Sequence, residues 1–449
     1  SFARARDMVC YISISCPAGG GGLLKLAWND SEKAARVMVA PRRPGGDGLF
    51  GIGAAQSVGR ILEKKRIMAA SGLAHFTHDG FVDMLYVFFP IWQSQFGLTF
   101  AQVGFFKMLF SGTLAFLQVP CSSLASRLGA VRLLLLGTLL TSTAAIAYGW
   151  ATTPLVLGAL LVAGGLGESV QHPLASTLIS NAYTDKELRR TALSIYNVSG
   201  DIGKLAFPAA AAVIISRFGW PAAVHTLGLF GVVVTAGLFF LTASPVPWSG
   251  SEEFRSGNGP TGGSLLRGNI AFVALLTIGI LDSGTRMGFL TYFPFLLRDK
   301  GGGIELTGFA LSLIFAGGIV GKFVCGVLAT RVGVLRTVLI TESMTAACIW
   351  GTIVLPLAWV QVLCPILGIA LNGTSSVLYG SVPELVPEEK RNRSFAVFYT
   401  ATIGSGAVSP FLYGFVSDLA GLIPTLIIVG ALVLGALPLT LPLRGKLLH

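Results

Sequence analysis

Cys121-Ser-Ser-Leu-Ala-Ser-Arg127-Leu-Gly129-Ala-Val-Arg132 and Cys325-Gly-Val-Leu-Ala-Thr-Arg331-Val-Gly333-Val-Leu-Arg336 read alike, and each falls between two long hydrophobic stretches. Their spacing is constant: 325 − 121, 331 − 127, 333 − 129 and 336 − 132 all equal 204. The same offset carries Pro90 to Pro294 and Gly104 to Gly308 upstream of the loops. A chain that repeats itself at this distance is built from two parallel halves. In a membrane protein, such halves imply a transporter with its site at their interface.

Composition places the chain in a bilayer. Of its 449 residues 53% are hydrophobic and 12% charged, too little charge to cover the surface of a soluble protein of this length. Stretches of about 20 apolar residues, the length that crosses a hydrocarbon core of about 30 Å, recur along the chain. They predict spans at 69–92, 101–121, 131–150, 154–181, 190–216, 220–242, 268–297, 305–329, 334–355, 357–380, 393–417 and 422–442. Period-2 alternation is missing, so the spans are helices, which satisfy their own backbone in lipid. The expected fold is an all-α membrane protein of twelve transmembrane helices in two pseudo-symmetric six-helix halves.

The formal net charge of +11 invites a nucleic-acid partner, but its distribution excludes one. Basic residues gather in alternate loops: Arg127 and Arg132; Lys186, Arg189 and Arg190; Arg255 and Arg267; Arg331 and Arg336; Lys390, Arg391 and Arg393; Arg444 and Lys446. The intervening loops hold Arg217, Arg298 and Lys300. This is the positive-inside bias, and it predicts both termini on the cytoplasmic side.

Four segments follow. Residues 1–67 are rich in Gly, Pro and Arg and precede Met68; a disordered tail, or sequence translated upstream of the natural start, is expected. Residues 68–242 form the first half and 268–449 the second. The polar, turn-rich stretch 243–267 between them is expected to be a cytoplasmic linker. The glycines at 19–22 lack the Gly-Lys-Ser/Thr ending of a phosphate loop, and neither a hydrolase triad nor paired zinc spacing is present. The six cysteines form no CxxC pair and read as free apolar thiols. No enzyme activity, cofactor or bound metal is expected.

The paired loops are similar to the signature loop of the major facilitator superfamily, whose halves are parallel repeats. Within that superfamily, several stretches resemble the fosmidomycin-resistance branch of drug exporters. These are His75-x-x-x-Asp79; Pro90-Ile-Trp-Gln-Ser-Gln-Phe-x-Leu98-Thr-x-x-Gln102-x-Gly104; Gly165-x-Gly167-x-Ser169-x-x-His172-Pro173; and Ser194-Ile-x-x-x-x-Gly200-x-x-Gly203, ending in Pro208. The sequence departs from the superfamily at Ser126 and Thr330, where the loops usually carry Asp. It departs from the branch at Leu174, Asp201, Lys204 and Phe207. The resemblance implies a bacterial inner-membrane protein, acting as a monomer, that exports a small drug in exchange for protons and so confers antibiotic resistance.

The site candidates are the ionisable residues inside the spans, because each costs at least about 2.5–3.5 kcal/mol to insert and must face the bundle interior or a wet cavity. In the first span His75, Asp79 and Asp83 line one stripe, with His78 beside it. A carboxylate against an imidazole is the expected proton-coupling group; a static hydrogen bond and a His-x-x-His-Asp metal site are the alternatives. Glu168 and His172, four residues apart in the fourth span and followed by Pro173, are expected to supply a second proton or substrate group, or else a pair that stabilises a kink. Asp201 with Lys204, and Asp282 with Arg286, read as acid–base pairs at helical spacing. They are either static bridges or gates that break as the halves rock. Lys107 and Lys322 have no acid within a helical turn. Lys322 reads as a cavity cation suited to an anionic compound, and Lys107 as a side chain snorkelling toward the outer face. His225 and Glu342 read as ordinary packed groups. The expected function is proton-coupled export of a small anionic or amphipathic compound, with uptake by the same fold or a transport-inactive sensor as the alternatives.

Overall fold

The structure, a computed structural model, describes residues 49–242 and 269–447. The first half contains α1 (Leu49–Phe96), α2 (Phe100–Leu128), α3 (Ala130–Tyr148), α4 (Pro154–Glu168), α5 (Gln171–Ala182), α6 (Lys186–Phe218) and α7 (Trp220–Thr242). The second contains α8 (Ile270–Asp299), α9 (Ile304–Val332), α10 (Val334–Val354), α11 (Leu357–Ser381), α12 (Arg391–Ala420), α13 (Leu422–Leu434) and the short α14 (Ala436–Leu439). Among the described residues there is no strand. Every predicted span coincides with helix. Among the described residues eleven helical stretches, with α4 and α5 counted as one, are long and apolar enough to cross a membrane. The first span falls outside that set because α1 carries His75, His78, Asp79 and Asp83. The expected linker lies outside the described residues, as does the tail up to residue 48. Residues 49–67, predicted to be irregular, are helical as the beginning of α1.

Helix ends follow local chemistry. Thr99 caps α2 in a reciprocal capping box with Gln102, and Asp185 caps α6 through the backbone N–H groups of Glu187 and Leu188. The signature loops end α2 and α9 at Gly129 (φ 85°) and Gly333 (φ 89°), a backbone region that side chains disfavour. This is why both copies of the motif need glycine two residues after the arginine. Arg127, Arg132, Arg331 and Arg336 are exposed at this end of the bundle.

The predicted kink at Pro173 appears as a two-residue interruption, Ser169 and Val170, that keeps αR backbone angles. Pro173 has no N–H to offer the carbonyl of Ser169, and α4 ends at Glu168 before α5 begins at Gln171.

The 204 offset also governs how the halves meet. It maps α2 onto α9 and α6 onto α12, and the halves pack through α2 on α12 and α6 on α9. These two interfaces are therefore images of one another. Glycine lets the backbones approach in both: a Cβ on Gly104 would overlap the carbonyl oxygen of Pro410, and one on Gly308 would overlap that of Pro208.

Polar contacts between the halves concentrate at the end carrying the 97–99 and 301–303 turns. The Asp418 carboxylate accepts from the N–H groups of Phe100 (2.7 Å) and Ala101 (2.9 Å) at the α2 N-terminus. Arg298 donates to the Pro90 carbonyl, Ser94 and Gln93, each at 3.0 Å. Gly104→Ala is expected to wedge this end open. A cysteine introduced at Ser94 should then react faster with a bulky maleimide than it does on the unaltered background.

Candidate functional site

Between the halves lies a cavity of about 580 Å³. Its charged lining comes from both: Asp79, Asp83, Lys107, His172 and Lys204 from the first, Asp282 and Arg286 from the second. A second cavity of about 510 Å³ near Pro90 and Pro294 has Arg298 as its charged residue, and that guanidinium is already engaged across the halves.

Asp79 is the hub of the central cavity. Its Oδ2 lies 3.1 Å from His75 Nε2 and 3.2 Å from Lys204 Nζ, while Oδ1 faces His172 Nε2 at 3.6 Å. Gly200 and Gly203 on α6 make this possible: a Cβ at Gly200 would strike His75 and Asp79, and one at Gly203 the Phe76 backbone. The repeated small residues of the Gly200-x-x-Gly203 motif bring α6 against α1.

His75 Nδ1 lies 2.8 Å from the Tyr196 carbonyl oxygen, which can only accept, so Nδ1 carries a hydrogen. If His75 were neutral, Nε2 would then turn a lone pair on the Asp79 carboxylate. The contact therefore holds one proton, owned either by the imidazole or by the acid.

His78 repeats the arrangement deeper in the bundle. Its Nε2 is 2.9 Å from the Thr138 hydroxyl, which itself donates to the Leu134 carbonyl at 2.8 Å and so accepts from His78. That leaves Nδ1 facing Glu168 Oε2 at 2.7 Å, again across one shared proton. Both side chains are buried and neither lines the cavity. Glu168→Gln is expected to keep the fold, since an amide donates to neutral Nδ1. Glu168→Ala leaves a buried nitrogen unpartnered at a cost of about 1–3 kcal/mol. Thermal unfolding in detergent should separate the two variants.

The structure rearranges several sequence pairings. Glu168 and His172 do not pair, because the helix interruption between them turns Glu168 to His78 and His172 to Asp79. Lys204 sits nearer Asp79 than Asp201, at 3.2 against 3.7 Å. Asp201 keeps that longer contact with Lys204 and also takes Lys322 from the other half, at 2.7 and 2.6 Å on its two oxygens. Asp282 and Arg286 form no ion pair; Arg286 donates to Ser375 at 3.3 Å, and its Nε has no partner. Lys107 does not snorkel. It is wholly buried, lies 4.4 Å from the centre of the Tyr86 ring, and its ammonium has no hydrogen-bond partner.

His75, Asp79 and His172 bring ligand atoms within 4.8 Å of one another, the geometry of the metal alternative. Lys204 already holds Asp79 there, and a metal cation would meet its ammonium. Cys121, Cys325, Cys348 and Cys364 are free thiols; Cys10 and Cys16 lie outside the described residues.

Two helical halves related by one offset, with a charged cavity between them, define a membrane transporter rather than an enzyme. The family model of the Major Facilitator Superfamily matches residues 71–410 and, in a second match, 275–446. The chain belongs to that superfamily. It is 26% identical over 383 residues to the fosmidomycin resistance protein of Escherichia coli (strain K12), covering 82% of this chain and 90% of that one. It is 25% identical over 395 residues to the uncharacterized MFS-type transporter YfnC of Bacillus subtilis (strain 168), covering 85% and 94%. A solved bacterial homologue of the human lysosomal transporter Spinster, in an inward-facing and occupied conformation, superposes with a TM-score of 0.69 at 17% identity. That match covers 85% of this chain and 98% of the other, and it speaks for the fold alone.

Proposed function

We propose that this transporter exports a small organic anion in exchange for protons. The observation that carries the reading is the pairing of chemistries in one place. Two His–carboxylate contacts each hold one transferable proton, and the adjoining cavity presents two cations with unpartnered donors, Lys107 Nζ and Arg286 Nε. A buried donor without an acceptor is costly, so an anion entering the cavity gains what the empty site lacks. Protonation of Asp79 would loosen Lys204 toward Asp201 and disturb the Asp201–Lys322 contact between the halves, linking a proton to their rocking.

The basic bias of the loops supports cytoplasmic termini, which would put the 97/301 end outside. The conformation seen is then closed to the exterior, the state from which an exporter loads its substrate. The likeness to a fosmidomycin resistance protein favours export over uptake, and the bacterial relatives suggest the inner membrane of a bacterium. Residues 68–242 and 268–449 act as the two rocking halves.

Proteoliposomes with an imposed pH gradient test this directly. Fosmidomycin and other small phosphonates should move against their gradient when protons move the other way, and an expressing strain should outgrow an empty-vector strain on the same compounds. Lys107→Gln should raise the half-saturating concentration. The absence of gradient-driven flux for every anion tried, with cationic drugs transported instead, overturns the anion reading.

A further inference from the structure

Glu342 on α10 is fully buried, and neither of its carboxylate oxygens has a hydrogen-bond partner. Its place in the repeat is informative. The offset maps it onto Thr138 (342 − 204 = 138) and maps Asp282 onto His78 (282 − 204 = 78). In the first half these positions hold the imidazole–hydroxyl contact behind Glu168. In the second half both positions are carboxyls.

Asp282 lines the cavity and Glu342 does not. The charged groups that act on Glu342 are Asp282 and Arg286, both from α8. From α9 the titratable neighbour is the Cys325 thiol. The packed helices α11, α13 and α14 contain no charged side chain. Neither guanidinium nor ammonium reaches Glu342, so an ionised carboxylate would be buried without a donor, next to another acid. The neutral acid is a small polar group that this pocket tolerates far better.

We propose that Glu342 is a proton-binding site of the second half, holding a proton in the conformation seen here and exchanging it with the cavity through Asp282. The step is protonation of the Glu342 carboxylate by a proton delivered from the cavity side, where Asp282 stands, with no other bond made or broken. Its use in transport rests on the proton-coupled reading above; the protonation itself does not.

Infrared difference spectroscopy on the purified full-length protein tests the site without a substrate. Wild type should show the carbonyl stretch of a protonated buried carboxylic acid, and the band should shift when glutamate is labelled with ¹³C. Glu342→Gln, which mimics the neutral acid in shape, should fold and lack that band. In Asp282→Asn the band should persist but exchange more slowly with D₂O. A wild-type spectrum indistinguishable from that of Glu342→Gln overturns the proposal, whatever the transport assays show. With fosmidomycin as probe, the number of protons exchanged per anion, read from the reversal potential, should fall by one in Glu342→Gln. An unchanged number overturns its role in coupling. Loss of proton-driven flux in wild type itself, with the band present, counts against the exporter reading and leaves the proton site standing.

Discussion

Asp79→Asn protein should reach the membrane and still exchange substrate across it, but lose most of its response to a proton gradient. The carboxylate is where His75, His172 and Lys204 converge. Its contact with His75 holds one proton because His75 Nδ1 is committed to the Tyr196 carbonyl. Asparagine removes the need for that proton: its amide donates to neutral Nε2, and the carboxylate that shared the proton is gone. Lys204 loses its nearer acid and turns to Asp201. A charge-assisted hydrogen bond is worth about 1.5–3 kcal/mol, so proton-driven accumulation should fall by about tenfold or more. Substrate counterflow without a gradient should change far less. The comparison of those two fluxes in proteoliposomes is the measurement. Full gradient-driven accumulation by the variant would move the coupling proton to His78 and Glu168.

Reversing the bridge between the halves should be the second large effect. Asp201 receives Lys322 on both carboxylate oxygens, joining α6 to α9. Either Asp201→Lys or Lys322→Asp alone places like charges against each other at a partly buried contact, and transport is expected to drop by about tenfold or more, the scale of about 1.4 kcal/mol. Together they restore opposite charges at the same site and should recover part of the loss. Coupling energies of about 0.5–3 kcal/mol are typical for such contacts. The reversal of Asp201 with Lys204 should recover little, since Lys204 belongs mainly to Asp79. Flux through the two double variants distinguishes the arrangements, and equal recovery in both would refute the bridge as drawn.

Recognition of the site in the sequence was uneven for a physical reason. His75 and Asp79 are four residues apart on one unbroken helix, so their contact follows from helical geometry alone. Glu168 and His172 have the same spacing, yet the missing N–H of Pro173 interrupts the helix between them and sends each to a different partner. Lys322 has no acid on its own helix, and its partner is 121 positions away. Glu342 reads as packing in the sequence because its environment is assembled from other helices. The repeat carries a signal for it: the offset that pairs Asp282 with His78 also pairs Glu342 with Thr138.

The sequence by itself determined the membrane class, the internal repeat and its offset, and where the long helices run. Those properties rest on hydrophobic length and local repetition, which are written along the chain. Tertiary structure alone decided which charges meet, that Lys107 is buried without an acceptor, and that the halves are joined at the 97/301 end. These depend on which helix faces stand opposite one another. Glycine contacts such as Gly104 with Pro410 and Gly308 with Pro208 set that facing, between residues far apart in sequence.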